Sequence, residues 1–152
     1  MDIWEKMYLA AKAEYHPERP SPFTYAHHVV AAVESESGRI YTGFCFESCS
    51  GVLDLCAERV AALRMYADSG ETKVKRMIAF RSEPPKGQGG MPCGACREFF
   101  MQLDYENRNM EILTDYESRT AVRLSSLIPN WWGDKRYEAA KKGEQGQPAA
   151  DS

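Results

Sequence analysis

Short strand-like runs alternate with longer helical ones along most of this chain, and that alternation constrains its fold more than any other feature. HHVVAAVE (27–34) and RIYTGFCFE (39–47) are rich in β-branched and aromatic residues. SESGR between them, with Gly38 as the turn residue, makes them an expected antiparallel hairpin. LCAERVAALRMYADSG (55–70) then switches to helical spacing, with Cys56, Val60, Leu63 and Ala67 on one face and Gly70 as the stop. KVKRMIAFR (73–81) reads as a strand and EPPKGQGGMP (83–92) as a mobile loop. CGACREFFMQLDY (93–105) is a further helix, with Cys96, Phe99 or Phe100, and Leu103 turned inward. MEILTDY (110–116) is a short strand, and VRLSSLIP (122–129) a short helix before NWWG. At the front, Trp4, Met7, Tyr8, Ala11 and Tyr15 predict an amphipathic helix over 2–15, broken by PERPSP. The order α-β-β-α-β-α-β-α predicts an α/β fold, a three-layer α/β/α sandwich with helices on both faces of a mixed sheet of about five strands.

A chain of 152 residues fits one compact domain. It is expected to span 1–133, followed by a charged tail over 134–152 that ends in QPAADS and frays. No apolar run reaches membrane-spanning length, and the first twenty residues mix acids and bases where a signal peptide would be uniformly apolar. A cytoplasmic protein without a membrane partner is the expectation. The net charge is −3, and KVKR (73–76) is only a short basic run, read as a solvated strand edge, so no nucleic-acid partner is expected. Five cysteines, an odd number, in a reducing compartment point to metal binding or buried thiols rather than a disulfide framework.

Cys93 and Cys96, preceded by Pro92, fit a redox dithiol, half of a structural zinc site, or part of a catalytic one. Two cysteines are too few for a closed zinc site, whereas a catalytic site needs three protein ligands and leaves a position for water. Cys56 is the third candidate. Cys56 and Cys93 each begin a helix, where free backbone N–H groups and the helix dipole favour a thiolate. Two parallel strand-to-helix units would bring those starts together around one Zn2+ per chain. Arg59 and Arg97, each in the turn after a ligand, are placed to donate to the thiolate sulfurs. Glu58, two residues beyond Cys56, is a carboxylate suited to moving protons beside a metal-activated water. Cys56-Ala57-Glu58 followed by Pro92-Cys93-Gly94-Ala95-Cys96 resembles the three-cysteine form of the zinc deaminase pattern.

C-A-E-R with P-C-G-A-C-R resembles the cytidine deaminase family, which includes the blasticidin S deaminases. GRIYTG (38–43) and LSSLIPNWW (124–132) extend the similarity over roughly residues 28 to 132. The resemblance implies a hydrolase that acts on the C–N bond of a cyclic amidine. Glu58 would shuttle protons while water displaces ammonia. It implies a small-molecule substrate, a free nucleoside or nucleoside-like aminopyrimidine, and a homo-oligomer (tetramer or dimer). Cys rather than His at position 56 sets the chain apart from the polynucleotide, tRNA-type and deoxycytidylate enzymes. The implied substrate-binding residues are Glu47, Cys45, His27, Ala57, Pro92 and Trp132. Cys45 stands where the family has Asn, so cytidine and deoxycytidine are expected to be poor substrates. Three alternatives remain at this point: a blasticidin S-type deaminase of a modified cytosine nucleoside, a non-catalytic zinc-stabilised binding module using Cys45 or Cys49 as a fourth ligand, and a redox dithiol protein.

Overall fold

The structure, a computed structural model, describes residues 1–143. Its elements in order are α1 (Ile3–Lys12), β1 (Glu18–Ser21), β2 (Thr24–Ser35), β3 (Ile40–Glu47), α2 (Ala57–Ser69), β4 (Val74–Phe80), α3 (Gly94–Leu103), β5 (Glu111–Asp115), β6 (Thr120–Arg123), α4 (Leu124–Leu127) and α5 (Asp134–Lys141). The sheet has six strands. β2 pairs antiparallel with β3 and with β4, β4 parallel with β5, and β5 antiparallel with β6. The sixth is the short β1, in the stretch read as a helix breaker, which pairs with the start of β2.

Strand alternation sends side chains to two cores. Val30, Ala32, Ile78, Phe80 and Leu113 pack against Trp4, Met7 and Ala11 of α1. Val33, Met77 and Ile112 pack on the other face, against Ala61, Ala62 and Met65 of α2 and Cys96 and Phe100 of α3. The layers are therefore helix, mixed sheet, helix. Within them, KVKR opens β4, an interior strand rather than an edge. Arg76 there pairs with Glu34 and Glu111.

The approach of α2 to the sheet is set by small residues. Ala31, Ala57 and Ala79 form a buried platform. A Cβ at Gly43 of β3 would lie 2.2 Å from the Ala57 carbonyl oxygen and 2.5 Å from the Ala61 nitrogen, so only glycine lets the helix start sit so close. The buried face of α2 is Ala57, Glu58, Ala61, Ala62 and Met65. This corrects the expected face, since Leu63 is exposed and so is Ala67. The tail expectation also changes. α5 docks on the body, with Tyr137 stacked on Tyr105 (centroids 3.9 Å apart) and Asp134 accepting from the Tyr105 hydroxyl. Residues 144–152 lie outside the described residues.

Candidate active site

Cys56 caps the N-terminus of α2 and Cys93 that of α3, while Cys96 lies in the first turn of α3. The crossovers β3–α2–β4 and β4–α3–β5 bring both helix starts to one end of the sheet. Cys56 Sγ lies 3.6 Å from Cys93 Sγ, and the three thiols form one group whose sulfurs are within 4.8 Å of each other. Paired hydrogen bonds between Phe46 and Leu55, both 2.9 Å, close the loop before α2 and fix the path into Cys56. Neither Cys45 nor Cys49 joins the group, which removes the four-cysteine alternative.

The electrostatics of the cluster single out Cys56. Hydrogen bonding with Cys96, then with Arg59 and Cys93, pulls its thiol down to about 5 despite burial. Arg59 Nη2 donates to Cys56 Sγ at 3.3 Å. Cys96 is pushed up, first by its hydrogen bond to Cys56 and then by burial. The Nε of Arg59 is buried without a hydrogen-bond partner among the described residues. Arg97 does not serve the sulfurs. Its Nε donates to the Pro92 carbonyl and its Nη1 to the Leu127 carbonyl, so it ties the segment before Cys93 to α4. Unpaired backbone carbonyls compete successfully for a guanidinium, which spacing in the sequence does not disclose.

Glu58 is buried (6% exposed) on the first turn of α2, and burial raises its carboxyl to about 7. It lies on the wall of a cavity of about 590 Å³. Cys56, Ala57 and Cys93 share that wall, and Cys45, Glu47, Asp54, Arg81 and Lys86 also line the cavity. One end of the sheet thus holds a titratable carboxyl, a thiolate cluster able to bind a metal ion, and space for a small molecule.

The remaining expected residues divide. Glu47 and Cys45 line the cavity, but Met91 and Cys93 form the wall on either side of Pro92. His27 is elsewhere. Its ring is stacked between His16 and Phe44, and its Nδ1 is 2.7 Å from the Glu14 carbonyl. A register shift between Ala26 and Val30, with His27 at φ +63°, breaks the strand alternation and turns His28 inward instead. Trp132 is 60% exposed and donates to Glu98 on α3, away from the cavity wall. His28 was missed as a site residue. It is 6% exposed and bonded to Glu47, and no sequence signal separates it from His27, because the bulge decides which of the two turns inward. Asp54, Arg81 and Lys86 were missed as well, since loop residues of ordinary type carry no spacing signal.

Comparison with known proteins follows the same line. A cytidine deaminase of Mycobacterium tuberculosis is 32% identical over 105 residues, covering 69% of this chain and 72% of that one. Among solved structures, cytidine deaminase from Mycobacterium leprae superposes with a TM-score of 0.64 at 25% identity, covering 86% of this chain and all of that one. The M. tuberculosis enzyme gives 0.63 at 26% identity, covering 88% and 99%. No family model matches the chain.

Proposed function

Since this chain belongs to the cytidine deaminase family and is a hydrolytic deaminase of the cytidine type, we propose that it uses one zinc ion per chain to deaminate a free nucleoside or nucleoside-like aminopyrimidine. The observation that carries this reading is Glu58, a buried carboxyl held near neutrality beside three clustered thiols on the wall of a ligand-sized cavity. The donor set suits the metal. Tetrahedral zinc with Zn–S bonds of about 2.3 Å separates its sulfurs by about 3.8 Å, close to the 3.6 Å between Cys56 and Cys93. Three thiolates are the soft ligands zinc prefers, and Arg59 offsets their charge. Zinc held by Cys56, Cys93 and Cys96 would supply Lewis acidity that makes water nucleophilic at neutral pH.

Glu58 does the proton work. It accepts a proton from the attacking water and delivers it to the ring nitrogen beside the reacting carbon, then takes the remaining proton of the added hydroxyl and passes it to the departing amine. The C–NH2 bond breaks, a ring carbonyl remains, and ammonia leaves. A carboxyl near 7 can both accept and give back a proton at working pH, as this sequence needs. Glu47 offers a carboxylate to the part of the substrate beyond the ring, and Cys45, with Ala57, shapes the wall. A homo-oligomer, tetramer or dimer, is supported by the apolar side chains of Val52, Leu53, Leu55, Leu63 and Tyr66, all exposed on the loop before α2 and on its outer surface. A reducing, cytoplasmic setting suits a site that needs three free thiols.

The test is ammonia release from a panel of aminated nucleosides, read together with bound metal. Glu58→Gln is expected to keep about one zinc per chain and lose at least the 10²- to 10⁴-fold typical of a positioned proton-transfer group. Turnover within about threefold of the parent protein would sink the mechanism. Cys56→Ala, Cys93→Ala and Cys96→Ala should each lose the metal, and Cys49→Ser should keep it.

A further inference from the structure

Beneath the cavity wall a hydrogen-bonded chain joins three side chains from two strands. His28 Nε2 lies 2.7 Å from Glu47 Oε1. A carboxylate only accepts, so Nε2 carries a proton and donates it to Glu47. Cys45 Sγ lies 3.2 Å from Nδ1 and 3.4 Å from Nε2. Burial pushes the Cys45 thiol up, so it keeps its S–H, and its sulfur, nearly equidistant from the two ring nitrogens, packs over the imidazole. The same sulfur accepts the Val29 backbone N–H at 3.2 Å. The ring plane is held by Tyr25, stacked 4.1 Å away at 14°, with the Arg19 guanidinium over Tyr25 in turn. His28 Nε2 and the Cys45 sulfur are thus both engaged within the protein. Glu47, whose side chain is 53% exposed and lines the cavity, keeps one oxygen unused.

We infer that His28 is a positioning residue that sets which substrates the pocket accepts, by fixing the Glu47 carboxylate through one oxygen and withdrawing the Cys45 thiol from ligand contact. The inference rests on the reading that the cavity holds an aminopyrimidine nucleoside. Such a ligand meets one oriented hydrogen-bond acceptor at this point of the wall and no side-chain donor. Its appendage must present a hydroxyl or amine there. Of several hydroxyls on a sugar, one is read and the others are not. A carboxylate held by one fixed hydrogen bond has fewer orientations to lose when ligand binds, so His28 acts on affinity and leaves the proton shuttle of Glu58 untouched.

The test uses zinc-loaded protein and four probes: cytidine and its 2′-deoxy, 3′-deoxy and 5′-deoxy forms. Affinities are measured by calorimetry in Glu58→Gln protein, so that binding does not depend on turnover. With His28 present, deleting one hydroxyl should weaken binding at least tenfold while the other deletions change it less than threefold. His28→Phe keeps the stack on Tyr25 and removes both nitrogens. It should weaken cytidine at least fivefold and flatten the difference among probes. His28→Gln, which can place an amide N–H where Nε2–H was, should restore most of the discrimination. In the Glu58-containing protein, His28→Phe should raise KM and leave kcat within about threefold. Equal or undetectable affinities for the four probes with His28 in place overturn the proposal. So does a His28→Phe protein that discriminates as before, or one that loses zinc and kcat together, which marks a purely structural role. Turnover by Glu58→Gln protein would strike the deaminase mechanism instead and leave the affinity pattern to be judged separately.

Discussion

Glu58 and Glu47 are carboxylates on the wall of one cavity, and their surroundings give them different work. Glu58 is buried and raised to about 7, whereas the half-exposed Glu47 has one oxygen tied to His28. The first was legible from the sequence because a helix start fixes its position relative to Cys56 within one turn. The cysteines were legible for the same reason. His28 and Arg97 were not, since a bulge chose which histidine turns inward and a pair of carbonyls chose where the guanidinium went. Cys45 lies between these cases: its position in the pocket was expected, its partners were not. Cys45→Asn tests the difference. The Asn amide brings a strong donor and a strong acceptor where the thiol offers only weak ones, and either can meet a sugar hydroxyl. A net hydrogen bond contributes about 0.5–1.5 kcal/mol, and leaving a buried hydroxyl unpaired costs about 1–3 kcal/mol. The kcat/KM of Cys45→Asn for cytidine is therefore expected to exceed that of the parent protein by about tenfold or more. Equal values would show that the thiol does not limit sugar recognition.

At the scale of elements, the hairpin, α2, β4, α3 and β5 follow their sequence patterns because turn residues and apolar periodicity punctuate them clearly. The face of α2 did not follow. Its alanines pack where Gly43 and the small-residue platform leave room only for them, and Leu63 and Tyr66 point away. The segment 83–92, expected to be a mobile loop, is anchored. The Tyr116 N–H donates to the Pro85 carbonyl, and the Gly87 N–H donates to Asp115 Oδ1 at 2.8 Å. Those contacts have a pH signature. The Gly87 N–H, with the Ser118 hydroxyl and N–H, holds the Asp115 carboxyl down to about 2. A carboxyl depressed in the folded state stabilises fully above its unfolded value of about 4. That contribution is lost as pH falls through about 2. At neutral pH Asp115→Asn should loosen the loop, read as faster tryptic cleavage after Lys86. The parent protein's loop amides, above all Gly87, should lose hydrogen-exchange protection only between about pH 4 and 2. Loss of protection already at pH 6 would rule Asp115 out as the anchor.

For the whole molecule, the layer order was legible because strands buried on both faces need helices on each side. The docking of α5 was not, since its polar sequence joins the body through Tyr105 rather than through an apolar face of its own. The outward apolar side chains of α2 and the preceding loop lead to a prediction about assembly in solution. Size-exclusion chromatography with light scattering should find an assembly, and Leu63→Arg combined with Leu53→Arg should shift it toward monomer with fold and zinc retained. A monomeric parent protein would refute this. The three-sulfur cluster carries a final consequence, one that concerns the unfolded chain. Cys56 and Cys93 are 37 residues apart and touch only because two separate helices begin at the same place. An ion gripping both is a cross-link. It closes a long loop in the denatured ensemble and removes chain entropy as a disulfide of that span would, by about 4 kcal/mol in the loop-closure relation. Chelation should therefore lower the unfolding temperature as well as stop turnover. Cys93→Ala should fall to the same temperature and no longer respond to the chelator.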